Sequence, residues 1–212
     1  MTFLIRPSRF FPLAALALAG AACSSAPEGM ERGAELFETC QPCHGEYAAG
    51  NASIEAPAIA GLPQWYIEAQ LMAFQNGWRG KHHEDLAGLR MRPMAVSLNH
   101  EGDIPAVAEY VASLPAPFPA STLHGNAGAG AAHYEQTCFT CHGPDGRGNE
   151  TLRAPPIVQL HDWYLVQELQ DFQSGARGAH PADTWGLTMR ANAVLLTDQA
   201  MEDVIAYVQT LR

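Results

Sequence analysis

The sequence predicts an all-α fold in which one small domain occurs twice. Shifting the 212-residue chain by 98 positions superimposes Cys40 on Cys138, and the match continues without a gap as far as Leu98 and Leu196. Apolar residues recur at helical three-and-four spacing in each copy, and no alternation of useful length indicates a strand. Self-similarity over this length indicates a duplicated structural unit.

Three helices are predicted in each copy. The first leads to a cysteine pair, the second ends at a glycine-containing turn, and the third closes the domain. The segments between them are rich in glycine and proline, and we expect loops that need a bound group to wrap around. The predicted helices span residues 31–39, 65–75 and 104–114, and residues 131–137, 163–173 and 200–211.

The two copies are separated by a proline-dense stretch that follows Leu114. Closely spaced prolines predict an extended, semi-rigid linker, and a run rich in glycine and alanine then leads into the second copy. We place the first domain at residues 29–115, the linker at 116–125 and the second domain at 126–212.

Residues 1–22 are typical of an export signal. Arg6 and Arg9 precede a short apolar stretch that ends in small residues. This stretch is shorter than the about 20 apolar residues that a membrane span needs, and an uncleaved anchor helix is the alternative. We therefore expect a periplasmic protein whose mature chain starts with a short tether over residues 23–28.

Cys23 is the cysteine that belongs to neither pair, and its surroundings resemble a bacterial lipoprotein signal. Small residues precede it and Ser-Ser-Ala-Pro follows it, although Gly20 stands where that signal usually has leucine. Lipidation at Cys23, and through it membrane attachment, is the favoured interpretation. The alternative is a cysteine removed with the signal peptide or left beside its cleavage site.

The charge of the chain excludes nucleic acid as a partner. Twelve basic residues stand against 22 acidic ones, a formal charge of −10 that becomes −12 when residues 1–22 and their two arginines are removed. Lys81 is the only lysine in the chain. Such a chain cannot neutralise a run of phosphates, and it is expected to associate with basic or neutral patches on proteins.

Each copy contains Cys-x-x-Cys-His, the signature of covalent haem attachment. Two cysteines separated by two residues lie about one helical turn apart, so both sulfurs can reach the vinyl groups on one edge of a porphyrin. The next residue, a histidine, then lies beneath the ring and can bind the iron. A zinc site or a redox disulfide is the alternative for a bare cysteine pair. We predict two covalently bound haem c groups, attached at Cys40, Cys43 and His44, and at Cys138, Cys141 and His142.

A methionine in each copy is predicted to bind the iron on the opposite face of the ring. Met91 follows the first motif histidine by 47 residues, and Met189 follows the second by the same 47. Both are expected in a loop before the last helix. Met94 competes with Met91, but its counterpart in the repeat is Asn192. The predicted iron ligands are therefore His44, Met91, His142 and Met189.

His82 and His180 also repeat and are the alternative sixth ligands. A pair of histidines would give a lower reduction potential than histidine with methionine. We expect instead that they brace the loop or contact Asp85 and Asp183. The remaining histidines have no counterpart in the other copy and are predicted to lie at the surface: His83, His100, His124, His133 and His161.

Further repeated residues are expected near the haem. The carbonyls of Pro57 and Pro155, each 13 residues after a motif histidine, can accept the imidazole N–H and orient the ring. Repeated aromatic residues and arginines can bind propionates, or can pack and cap a helix. For the tryptophans we favour packing. These residues are Trp65, Tyr66 and Arg79, with Trp163, Tyr164 and Arg177.

With these residues, the chain resembles the cytochrome c₄ family, exported di-haem proteins made of two class I cytochrome c domains. The resemblance covers residues 29–212 and includes both attachment motifs, the segments that begin at Met91 and Met189, and the last helices with Tyr110 and Tyr207. It implies two all-α domains related by a pseudo-two-fold axis, each wrapped around a covalently bound haem. The scarcity of lysine departs from the basic ring that mono-haem cytochromes c often use for docking.

The sequence thus predicts an electron carrier without catalytic residues, since two six-coordinate irons leave no open site for a substrate. The resemblance implies a bacterial periplasmic respiratory chain, with electrons relayed from a quinol-oxidising complex or dehydrogenase to a terminal oxidase or reductase. The alternative is a dedicated cytochrome subunit of a periplasmic oxidoreductase, or a di-haem peroxidase-like enzyme.

Overall fold

The computed structural model describes residues 28–212; the predicted export signal and Cys23 lie outside them. In this range the chain is helical, and its only extended pairing consists of two isolated bridges, Asn51–Ala56 and Asn149–Ala154. The first domain contains α1 (Gly29–Phe37), α2 (Gln41–His44), α3 (Gln64–Gln75), α4 (Leu86–Ser97) and α5 (Asp103–Ser113). The second contains α6 (Ala127–His133), α7 (Phe139–His142), α8 (Asp162–Ser174), α9 (Thr184–Ala193) and α10 (Asp198–Gln209).

In each domain the first helix packs closely on the last, α1 on α5 and α6 on α10. The crossing is close because a glycine faces the backbone of the partner helix, Gly33 against Ala106 and Gly130 against Asp203. An aromatic pair closes each crossing, with ring centroids 5.5 Å apart for Phe37 and Tyr110 and 5.4 Å apart for their counterparts Tyr134 and Tyr207. The helices predicted at the ends of each copy are confirmed.

The second copy accommodates one extra residue between this crossing and its cysteine motif. Gly33 lies seven residues before Cys40, whereas Gly130 lies eight residues before Cys138. The surplus residue is taken up by a wide π turn over Tyr134–Cys138. Turns of this kind widen a helix by one residue without breaking it, so both the helix crossing and the cysteine motif keep their places.

The methionine segments are helical, so the prediction of a loop at Met91 and Met189 is wrong. Each helix begins at an aspartate whose side chain accepts a hydrogen bond from a backbone N–H three residues later, at 2.6 Å for Asp85 and 2.9 Å for Asp183. Such N-caps stabilise the first turn. The sequence does not predict α4 and α9, because their apolar residues do not form one stripe and Pro93 lies inside α4.

The linker has no helix between residues 115 and 126. It is fastened to the second domain. The buried carboxylate of Asp162 accepts hydrogen bonds from the backbone of Thr122 and Leu123, and the guanidinium of Arg212 donates to the carbonyls of Pro119 and Leu160. The linker therefore lies along the surface of the second domain.

The two domains meet through backbone and ring contacts as well as buried charge. The side-chain amide of Gln159 donates to Ala60 O at 3.2 Å. The ring of Trp78 stacks on that of His180, with centroids 5.5 Å apart and an interplanar angle of 16°. Among the described residues, no helix combines the length and the apolar character that a bilayer crossing requires.

Replacing Gly130 by alanine is expected to destabilise the protein by about 1–3 kcal/mol, because the added methyl group would overlap the backbone of Asp203. Gly128→Ala in the same helix is the matched control, since its methyl group would face only the cap side chain of Asn126 and alanine favours a helix by up to about 1 kcal/mol. Urea unfolding measures both. A Gly130 variant as stable as the Gly128 variant would contradict the close crossing.

Candidate functional site

The two cysteine motifs form short helical turns, α2 and α7, each beginning just after its first cysteine. Cys40, Cys43, Cys138 and Cys141 are free thiols. Burial, and secondarily the neighbouring cysteine, raises the pKa of Cys40 and of Cys138 to about 11. Within residues 28–212 no three His, Cys, Asp or Glu side chains converge on a common point.

The motif histidines are oriented by the two proline carbonyls, as predicted. Nδ1 of His44 lies 2.9 Å from Pro57 O, and Nδ1 of His142 lies 2.9 Å from Pro155 O. Because a carbonyl can only accept, Nδ1 donates in both cases, and the lone pair of Nε2 is available to a metal. Burial lowers the pKa of both histidines, which favours the neutral form that binds iron.

In the second domain, all four predicted site residues line one cavity. Cys138 reaches it from the residue just before α7, Cys141 and His142 reach it from α7, and Met189 reaches it from α9. Its volume is about 660 Å³, within the range of cofactor pockets. Thiols, a free imidazole nitrogen and a thioether around an apolar cavity fit a covalently bound haem.

In the first domain the same residue types occupy the same elements. His44 is buried on α2, Cys43 is exposed beside it, and Cys40 and Met91 are half-buried and pack against the core. The structure therefore gives the first domain the same order of attachment turn and methionine helix as the second.

A buried charge cluster joins the domains beside this cavity. Glu168 forms ion pairs with Arg79 of the first domain and Arg177 of the second. Both arginines also donate to Gln70 Oε1, at 2.9 Å and 2.6 Å. The arginines do not cap helices: they link the domains, and all four side chains line the cavity.

The cluster retains an unused donor. The Nε atom of Arg79 is buried and has no hydrogen-bond partner in the described part of the chain. A buried N–H of a guanidinium is a strong donor for a carboxylate, so this edge of the cavity fits a haem propionate.

Glu168 was not among the predicted site residues, although a signal for it exists. It is the repeat counterpart of Gln70, so one acidic side chain replaces a neutral one at a position where the second helix of each copy faces the other domain.

The repeated aromatic residues pack, as favoured for the tryptophans. Trp65 meets Tyr66 edge-on at 5.7 Å, and Trp163 meets Tyr164 at 6.0 Å. The guanidinium of Arg153 lies over the ring of Trp65 at 5.3 Å, which adds a contact between the domains.

The histidines outside the motifs have distinct environments. Nδ1 of His82 accepts from the backbone of Glu84 at 3.4 Å, and that of His180 from Ala182 at 3.2 Å, so both brace the turn before a methionine helix. The expected contacts with the aspartates are made through the backbone: the carbonyl of His82 accepts from Asp85 N–H at 3.2 Å and that of His180 from Asp183 N–H at 2.9 Å, while the aspartate side chains cap the helices. The prediction that His161 lies at the surface is wrong: it is half-buried and contacts the first domain.

The comparison with protein families agrees with this arrangement. The family model described as cytochrome c matches residues 30–115 and, a second time, residues 127–212. The chain belongs to the cytochrome c family. As a tandem cytochrome c it carries two covalently bound haem c groups and is a di-haem electron-transfer protein.

Three relatives show the breadth of the similarity. This cytochrome c is 29% identical over 181 residues to cytochrome c-552 of Acidithiobacillus ferridurans, covering 81% of this chain and 73% of the relative. It is 28% identical over 201 residues to the thiosulfate dehydrogenase electron acceptor of Thiomonas intermedia, covering 90% and 86%. With cytochrome c4 of Thiocapsa roseopersicina it shares 28% identity over 180 residues, covering 81% and 86%.

Solved structures have the same fold. Cytochrome c4 of Acidithiobacillus ferrooxidans aligns with a TM-score of 0.67 at 28% identity, over 82% of this chain and 99% of that one. Thiosulfate dehydrogenase (TsdBA) of Marichromatium purpuratum aligns with a TM-score of 0.69 at 28% identity, over 85% of this chain but 40% of that longer one. The all-α tandem fold and the resemblance to cytochrome c₄ are thereby confirmed.

Replacing Glu168 by alanine is expected to cost about 3 kcal/mol of unfolding free energy, because it leaves two buried guanidinium groups without their carboxylate. The control is Glu55→Ala, which breaks the exposed ion pair with Arg90 and should cost less than about 1 kcal/mol. Denaturant unfolding of the haem-loaded protein compares them. Equal losses of unfolding free energy in the two variants would contradict a stabilising role of the buried cluster.

Proposed function

We propose that this cytochrome relays single electrons through two six-coordinate irons, each bound by histidine and methionine. Cys40 and Cys43 would hold the first haem and Cys138 and Cys141 the second through thioether bonds. The axial ligands would be His44 with Met91 and His142 with Met189. The observation that carries the proposal is the convergence of the second set on one apolar cavity.

The role of the chain's own residues follows from this geometry. The proline carbonyls fix both imidazoles, the cysteine turns would hold one edge of the ring, and the buried arginine cluster would offer Arg79 Nε–H to a propionate near the domain contact. With both axial positions occupied by protein, no site remains for a substrate. Electron transfer without further chemistry is the function that fits best.

We place the protein in the bacterial periplasm, where it would accept electrons from a quinol-oxidising complex or a dehydrogenase and deliver them to a terminal oxidase or reductase. The named similarity to cytochromes c4 and to a thiosulfate dehydrogenase electron acceptor supports such partners. The formal charge of −10 favours a basic or neutral docking surface and an association that weakens with salt.

The second candidate is a dedicated subunit of a periplasmic oxidoreductase. It is favoured by the alignment with a thiosulfate dehydrogenase chain of which this protein spans 40%. A subunit would co-purify with its enzyme at high salt, whereas a diffusing carrier would separate from it. A peroxidase-like enzyme would need one iron with a displaceable ligand.

Met91→His and Met189→His are each expected to remove about half of the sulfur-to-iron charge-transfer absorbance of the oxidised protein. Each should also lower one of the two reduction potentials, because histidine replaces a thioether that favours ferrous iron. Optical redox titration measures both effects. Met94→Leu is the matched control and should leave the spectrum unchanged, since the repeat counterpart of Met94 is Asn192.

An unchanged spectrum in either histidine variant would contradict the ligand assignment for that domain. Binding of carbon monoxide to the reduced protein, or turnover of peroxide, would contradict the relay function itself, because both need an open axial position.

Cys23 lies outside the described residues, and we propose that it carries a lipid anchor. Mass spectrometry of the membrane fraction is expected to show an acylated N-terminal cysteine, and Cys23→Ser should move the cytochrome to the soluble periplasmic fraction. A mature N-terminus that lacks Cys23 would contradict lipidation.

A further inference from the structure

A hydrogen-bonded chain connects the second domain to the predicted axial histidine of the first. Nδ1 of His161 accepts a hydrogen bond from the backbone N–H of Ala58 at 3.2 Å. The carbonyl of the same peptide group, Pro57 O, accepts from Nδ1 of His44 at 2.9 Å. One peptide unit therefore lies between a side chain of the second domain and the iron ligand of the first.

The position of His161 is fixed from several sides. The centroid of its ring lies 5.1 Å from that of Trp163. Two residues earlier, the side-chain amide of Gln159 donates a hydrogen bond to Ala60 O of the first domain. Gly50, at a φ of +87°, leaves no room for a side chain between this ring and the Ala58 peptide. The contact is therefore part of the packed interface between the domains.

The imidazole of His161 is suited to accept this hydrogen bond at Nδ1. Burial lowers its pKa; the carboxylate of Asp162 raises it and the guanidinium of Arg212 lowers it again, with a net decrease. The ring is accordingly neutral at neutral pH. A neutral ring protonated at Nε2 offers the Nδ1 lone pair that the Ala58 N–H requires.

The second domain cannot form the same chain. Its axial histidine bonds to Pro155 O, but the next residue is Pro156, which has no N–H to donate. The repeat counterpart of His161 is Pro63, which has no acceptor side chain. The two domains thus differ at both the donor and the acceptor of this hydrogen bond.

We propose that His161 is a positioning residue for the first haem and lowers the reduction potential of that haem. Accepting from Ala58 N–H polarises the peptide group and makes Pro57 O a stronger acceptor, since bonds in a chain reinforce one another. A stronger acceptor increases the basicity of the His44 imidazole, which favours ferric iron. The inference rests on the proposed role of His44 as axial ligand.

The test is a double-mutant cycle on the haem-loaded protein, with His161→Leu, Ala58→Pro and the double variant. Each single variant removes one end of the bond, and Ala58→Pro copies the residue that the second domain already has. Each is expected to shift the ferrous/ferric equilibrium of the first haem about threefold towards ferrous, or about 30 mV at about 59 mV per tenfold. The double variant should add nothing.

His161→Asn is the matched conservative variant, because its side-chain oxygen can take the place of Nδ1. It should retain the wild-type potential and a protected Ala58 amide in hydrogen-exchange NMR, whereas His161→Leu should lose the protection. If His161→Leu does not fold, His161→Gln, which displaces the acceptor by one methylene, carries the same expectation. Titration in a Met189→His background assigns the potential to the first haem.

Equal shifts at both haems would show a general effect of the interface and overturn the proposal. So would an unchanged first potential, additive single effects, or a shift in His161→Asn as large as in His161→Leu. Failure of the His44 assignment is distinguishable, because the absorption spectrum of the first haem would then be unaltered in His44→Met, a measurement that does not depend on His161.

Discussion

Each half of this protein depends on the hydrogen bond between the motif histidine and a proline carbonyl 13 residues later. The bond closes a loop around a buried imidazole. Short helices and glycine-rich segments bury too little area to be stable alone. A covalently attached, largely apolar haem supplies the missing core, and the loop holds the motif histidine in one orientation.

Duplication gives the molecule two such centres, and the structure shows where the copies diverge. Glu168 replaces Gln70 in the charged contact, so the cluster has one carboxylate for two arginines. Proline replaces alanine after the carbonyl that binds the second motif histidine. Glu168 and Ala58, one member of each of these two pairs, lie at the contact between the domains. The predicted ligands of the two domains therefore have different surroundings, which would give a physical basis for two distinct potentials.

Much of this was predictable because covalent haem attachment imposes a rigid spacing on its residues. The Cys-x-x-Cys-His motifs, the proline carbonyls and the terminal helices follow from local sequence. Helices α4 and α9 were missed because their stability comes from aspartate caps and tertiary contacts, and not from an apolar stripe. The position of His161 could not be predicted either. Its hydrogen-bond partner, Ala58, is 103 residues away, and the corresponding position in the first copy is a proline, Pro63, and not a second histidine.

The fastening of the linker to the second domain has a consequence for the rate of internal electron transfer. A free tether would let the domains separate and meet again, with an effective concentration set by tether length. Here Asp162 and Arg212 hold the linker, and the buried contact fixes the domains directly. The two haem sites are therefore held at a constant separation, and electron transfer between them would not depend on dilution, on crowding or on collisions between the halves.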